Sequence, residues 1–289
     1  MAFPSSMAKP AVNTETGPVF GGQFADVNNL TQMNDSLSSL PAIAEDFTAT
    51  WCGNCVNVEH ALDDLEQEGL LQKYEFHMYP DVQEEDPFGS EGVMQYIDAR
   101  YNTGAPPLVA INGTIKKEGS YPESDSLTDD YRNMMNNPLE LGDGMSNFTW
   151  TPKESCNCDL PDNMGLLAWD LDVNLSAYPD ASLNVHAWIV ETSAEFADGS
   201  NGQGTYRDIV RQITDLGTNA YGTAEIVIPE PYDGDDLEIH LMYVITLPDI
   251  VEETVEEEEK NKEESALPGF GIVLTLIAAL SAAAIIRRE

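Results

Sequence analysis

"DFTATWCGNCVNVEHAL", residues 46–62, sets two cysteines two residues apart behind a tryptophan, where an apolar run gives way to helical spacing. Three chemistries use such a pair: a redox dithiol, half of a metal site, or a structural disulfide. A four-cysteine zinc site would need Cys156/Cys158 as its second half. That C-x-C lies about 100 residues downstream, a poor spacing for a zinc ribbon. His60, His77, His186 and His240 are scattered and form no ligand pattern. No metal and no cofactor is therefore expected, and the dithiol and the staple stay as the two readings.

Working outward, residues 42–49 suit a buried strand, and CGNC is expected to open a helix running to about Leu71. "YEFHMYP" (74–80) alternates like a second strand, and "SEGVMQYIDARYN" (90–102) has helical spacing. "PPLVAINGTIKKEGS" reads as strand, Asn-Gly turn, strand. "SDSLTDDYRNMMNN" (124–137) begins with capping residues and should close the unit as a helix.

That order, with Trp51-Cys52-Gly53-Asn54-Cys55 after the first strand, Asp46 six residues before Cys52, and Pro106-Pro107 ahead of an apolar strand, resembles the thioredoxin fold over roughly residues 40–140. The resemblance implies that Cys52, stabilised as a thiolate by the helix start, attacks, and that Cys55 resolves the mixed disulfide. It implies that Asp46 receives the resolving thiol's proton; the plainer reading is a strand-end carboxylate beside Glu45. Trp51 would shield the dithiol, and Ala105, Pro106 and Pro107 would align a partner's backbone, with one of the two prolines cis. Partners would be protein thiols and disulfides.

A different texture follows "CNCDLPDN" (156–163). Segments 166–176, 182–191, 221–229 and 237–248 alternate with period two and are broken by Pro and Gly, which points to a β-sandwich. Residues 205–217 read as a strand or a short helix crossing between sheets. The pairing resembles secreted bacterial thioredoxin-like proteins with a following Ig-like β domain. The expected fold class is thus an α/β thioredoxin-like domain followed by an all-β sandwich domain, with a C-terminal hydrophobic helix. Its divisions are a flexible segment 1–35, a redox domain 36–150, a sandwich 151–250, an acidic stalk 251–266 and a tail 267–289. Cys156–Cys158 is expected to close a local disulfide or, alternatively, to relay electrons with Cys52.

Acidic residues outnumber basic ones 51 to 13, for a formal charge of −38, so phosphate binding and hence a nucleic-acid partner are not expected. Such a surface repels itself least in salty surroundings. Ala266 to Ile286 is an uncharged run about one bilayer thick as a helix, closed by Arg287 and Arg288. Pro268-Gly269-Phe270, the apolar run and the basic end together resemble the PGF-CTERM sorting signal of archaeal surface proteins. That implies a sorting enzyme acting near Pro268-Gly269-Phe270, and a membrane or lipid anchor at the cell surface. Residues 1–22 hold no apolar h-region, which leaves a downstream recorded start and a plain C-terminal anchor as alternatives. Five Asn-x-Ser/Thr sequons, at Asn29, Asn34, Asn112, Asn147 and Asn174, lean toward an external location. The expected function is an extracytoplasmic, anchored thiol–disulfide oxidoreductase of reductase or isomerase type. The competing one is a non-enzymatic surface binding or adhesion protein whose C-x-x-C is a staple.

Overall fold

The structure, a computed structural model, describes residues 8–79, 86–102, 104–156 and 158–248. These all fall in one compact unit, Met1–Asp249. The dithiol segment opens from strand β4 (Ala42–Thr48), which is buried from Ile43 onward. β4 runs parallel to β5 (Leu71–His77) and antiparallel to β6 (Leu108–Ile111). β7 (Ile115–Glu118) pairs with β6, and β1 (Val12–Asn13) pairs with β7. Helix α1 (Cys55–Gln67) carries the chain from β4 to β5, and α2 (Glu91–Tyr101) and α3 (Leu127–Met134) follow β5 and β7.

Local chemistry sets the helix ends. Gly69, at φ 72°, ends α1: its N–H bonds the Glu66 carbonyl and that of Leu70 bonds Leu65, the double closure of a Schellman turn. The helix therefore stops short of Leu71. Ser90 and Ser126 cap α2 and α3 by accepting from the N–H groups of Val93 and Asp129. Period-two alternation on β4 then separates two layers. Ile43 and Phe47 pack with Val93 and Ile97 of α2, whereas Ala44 packs with Val58 and Leu62 of α1 and Tyr131 of α3.

The remaining strands are β2 (Val19–Asp26), β3 (Thr31–Ser36), β8 (Met145–Pro152), β9 (Met164–Leu171), β10 (Ser182–Glu195), β11 (Thr205–Gly217), β12 (Tyr221–Val227) and β13 (Leu237–Thr246). Two sheets result: nine strands in the order β1-β7-β6-β4-β5-β11-β10-β13-β2, and four in the order β12-β9-β8-β3. β10 and β13 are covered on both faces. Val185, Ala187 and Ile189 join the core facing the small sheet, while Trp188 and Val190 join the core beneath α2.

The expected fold class does not hold. The described residues are mostly β, 42% strand against 16% helix, in two sheets, and among them no α/β thioredoxin fold followed by a separate sandwich is present. The overturning contact is the parallel pairing of β5 with β11 at Glu75 and Ile209, which joins the first-half strands and the sandwich strands in one sheet. Residues 205–217 are a strand of that sheet and not a helix. The stretch 19–36, read as part of a flexible segment, supplies β2 and β3, the edge strands of the two sheets. Among the described residues no helix is long and apolar enough to cross a membrane, and the run Ala266 to Ile286 lies outside them.

The sandwich core depends on two glycines that give room to indole rings. A Cβ on Gly165 would lie 2.1 Å from the Trp150 ring, and one on Gly222 would lie 2.6 Å from that of Trp169. Gly165→Ala is expected to cost about 1–3 kcal/mol by overpacking. Gly92→Ala, in α2 with nothing within 4 Å of the added carbon, should instead gain roughly 0.5–1 kcal/mol. Urea denaturation of the three proteins checks both signs.

Candidate functional site

The chain leaves β4 at Thr48 and turns twice before α1 begins. Cys52 N–H bonds the Ala49 carbonyl at 2.9 Å, and Cys55 N–H bonds that of Cys52 at 3.0 Å. Cys52 thus sits three residues before the first helical residue, which is Cys55. The two are disulfide-bonded, with Cα atoms 5.3 Å apart. Cys52 keeps 6% of its surface and Cys55 none, while Gly53 and Asn54 are exposed. Ala49, half-buried Trp51 and Met78 pack around the pair.

The turn is braced from the other half of the chain. The Thr50 carbonyl accepts from Asn201 N–H at 3.1 Å and from the Tyr206 hydroxyl at 3.4 Å, while Thr50 N–H donates to Asp86 at 2.8 Å. The β10–β11 connection comes close enough that a Cβ on Gly199 would sit 2.9 Å from the Thr50 carbonyl.

Between β4, β5 and α1 lies an ionic layer. Asp46 is fully buried, and neither carboxylate oxygen has a hydrogen-bond partner. Its oxygens lie within 4.8 Å of those of Glu59, one turn after Cys55 on α1, and of Glu75 on β5. Burial, reinforced by Glu59 and Glu75, pushes Asp46 well above the usual carboxylate range. Burial likewise raises Glu59 to about 7, helped by Glu75 and opposed by hydrogen bonds from Thr48 and Gln203. Burial would raise Glu75 too, but Lys73 and His77 outweigh it and hold this carboxyl low. His77 is raised to about 10, because Asp86 at 2.9 Å and Glu75 at 3.4 Å outweigh its burial.

Among the described residues two carboxylate clusters are compact enough to share a cation, Asp46/Glu59/Glu75 and Asp63/Glu66/Asp208. Lys73 already binds Asp63 and Asp208 in the second. In the first, Glu75 is engaged by Lys73 and His77, and Glu59 by Thr48 and Gln203. That leaves Asp46 alone without a partner, an arrangement suited to holding a proton.

The proline loop also reaches this end of β4. Leu108 pairs with Phe47, so Pro107 lies beside the strand's exit toward the dithiol. The Pro106–Pro107 bond is cis; Ala105 is exposed and Pro107 buried. Cys156 and Cys158 are half-buried and joined locally, with Cα atoms 5.2 Å apart. Lys73, Glu75, His77, Asp86 and the bracing Asn201 and Gln203 had not been singled out in the sequence. The one signal, for Lys73, Glu75 and His77, is K-x-E-x-H at period two on a strand whose alternate residues are aromatic; Asp86, Asn201 and Gln203 carry none.

With this geometry in hand, likeness to known proteins adds a location. Residues 267–289 match the PGF-CTERM motif. The PGF-CTERM tail marks a secreted protein anchored at the cell surface, and it implies processing by a sorting enzyme. No curated protein matches the sequence. Among solved structures, HBP35 of Porphyromonas gingivalis is 16% identical, covering 79% of this chain and 80% of that one, at a TM-score of 0.47. A protein from Agrobacterium tumefaciens is 13% identical over 71% of this chain and 93% of that one, at a TM-score of 0.41. At these scores neither likeness bears on activity.

Because Glu59 binds its proton more tightly folded than unfolded, stability falls as pH rises from its ordinary 4.5 through about 7. Glu59→Gln, which keeps the shape, is expected to remove about 2–3 kcal/mol of that fall. Denaturant titrations of both proteins at pH 5 and pH 8 measure it, and an unchanged pH dependence would contradict the assignment.

Proposed function

We propose that this surface-anchored protein is a thiol–disulfide oxidoreductase of reductase or isomerase type, working through Cys52 and Cys55. The observation that carries the reading is the placement of the pair. Cys52 keeps 6% of its surface in the turn before α1, Cys55 is the fully buried first residue of that helix, and Asp46, on the strand that leads into the turn, is a buried acid with no hydrogen-bond partner. A disulfide held only as a staple has no use for such an unpartnered buried carboxyl group on the strand that leads to it.

In the reducing direction, the Cys52 thiolate attacks one sulfur of a partner disulfide. A Cys52–partner disulfide forms and the partner's other sulfur leaves as a thiolate. Cys55 then gives its proton to the ionised form of Asp46, which has first released its own proton to solvent, and attacks Cys52; the second partner sulfur leaves as a thiolate and Cys52–Cys55 closes. Two electrons pass to the partner, and an external dithiol must restore the enzyme. Trp51 screens the dithiol, and the loop of Ala105, Pro106 and Pro107 aligns the partner chain. Pro106 lacks an N–H and the Pro107 carbonyl accepts from Gly119 N–H at 2.9 Å, so the backbone group this loop offers is the Pro106 carbonyl. Gly53-Asn54 supplies neither an imidazolium nor a proline, which favours an intermediate potential over the strongly oxidising range near −120 mV.

The second reading, a binding protein with a structural disulfide, is favoured by the small exposure of Cys52. Insulin reduction in the presence of dithiothreitol separates the two. The wild-type chain should accelerate precipitation, Cys52→Ser should fall to background, and Cys55→Ser should accumulate a mixed disulfide visible by mass. Equal background rates for all three would leave the staple standing.

A further inference from the structure

The five sequons, left unused by the redox chemistry, are sorted by the fold. Asn112 is built into the core: only 8% exposed, its side-chain oxygen accepts from Ile43 N–H at 2.8 Å. Asn29 lies in the turn after β2, and Asn174 lies in the connection after β9 with its side chain closing a local turn to Ser176. The other two come together. Asn34 on β3 and Asn147 on β8 are register partners, and the Asn34 amide donates to the Asn147 side-chain oxygen.

Both belong to the outer face of the four-stranded sheet. On β8 and β9 the alternate residues Phe148, Trp150, Leu167 and Trp169 fill the core, so their neighbours face away from it. This outer face is unusual for a chain of net charge −38. Its side chains are Asn, Gln, Ser and Thr with a few apolar residues, and only Asp170 and Glu225 are charged. Elsewhere acidic groups face water; here neutral amides and hydroxyls do, on a sheet whose edge at β3 is open.

We propose that this face carries a single N-linked glycan, attached to the Asn34/Asn147 pair. The surface location shown by the tail puts the chain where such transfer occurs. In the transfer, the side-chain Nδ2 of one asparagine forms a bond to the anomeric carbon of a lipid-linked oligosaccharide. The bond from that carbon to the lipid phosphate breaks, and the amide proton leaves with the lipid phosphate. The substituted amide keeps one N–H, enough to preserve the bond from Asn34 to the Asn147 oxygen in the one case and that from Asn147 to the Asp170 carbonyl in the other. Directly opposed residues have Cβ atoms about 5 Å apart, too close for two glycans, so one asparagine of the pair is modified per molecule.

The test uses the full chain purified from the surface of the cells that make it. Digestion after glutamate and mass mapping should find one oligosaccharide mass on the peptide of Asn34 or of Asn147, with the Asn112 peptide unmodified. Asn34→Gln with Asn147→Gln should remove that mass, while Ser36→Thr with Thr149→Ser, which keeps both sequons, should retain it. Unmodified peptides at both asparagines, or an increment that survives the double glutamine variant on this face, would overturn the proposal.

Discussion

The Lys73 ammonium is 1% exposed and binds Glu75 on its own strand at 2.8 Å, Asp63 on α1 at 2.6 Å and, at 3.7 Å, Asp208 on β11. It is the electrostatic joint between the helix that starts at the dithiol and the strand that brings in the sandwich. Removing it would leave three carboxylates facing one another in a poorly solvated space, where breaking a buried pair typically costs about 3–5 kcal/mol. With 13 basic residues in the chain, such placements matter. Lys117 is likewise buried against Asp130 and the Lys9 carbonyl, and Arg100 donates to the Gly17 carbonyl near Glu45, Tyr96 and Tyr101. Lys73 and Lys117 are thus buried against carboxylates, while Lys9 and Arg132 pair with acids at the surface.

The same economy explains the environment of the cysteines. Lys73 and His77 compensate Glu75, and His77 and two backbone N–H groups compensate Asp86. Asp46 receives no such partner, so burial decides its protonation. A buried group left uncompensated beside compensated ones is a poor contributor to stability and a ready store for one proton. The Thr50 carbonyl, held by Asn201 and Tyr206, then fixes the turn above it. Strands β10 and β11 are in this sense part of the Cys52/Cys55 site, since the connection between them helps to set where the turn before α1 stands.

Outside, two surfaces contrast. Most of the molecule bears uncompensated acids, which favours solubility in salt and discourages anionic partners. The outer face of the four-stranded sheet lacks that protection and carries two opposed acceptor asparagines instead. The PGF-CTERM tail sets the location in which both surfaces operate.

The sequence by itself determined the local features: two C-x-x-C and C-x-C disulfides, helices near 55–67, 91–101 and 127–134, strands at period two, and the tail at 267–289. Each depends on residues a few positions apart, whose spacing, caps and turn glycines are written in the chain. The architecture did not yield to that reading. Whether β5 pairs with β11, and whether the 19–36 segment closes two sheets, depends on which edges and which apolar faces meet, and period two looks the same for any partner. The ionic layer was hidden for the same reason. Lys73, Glu75 and His77 read as the wet side of a strand until tertiary structure covers that side with α1 and turns three charges into a buried network.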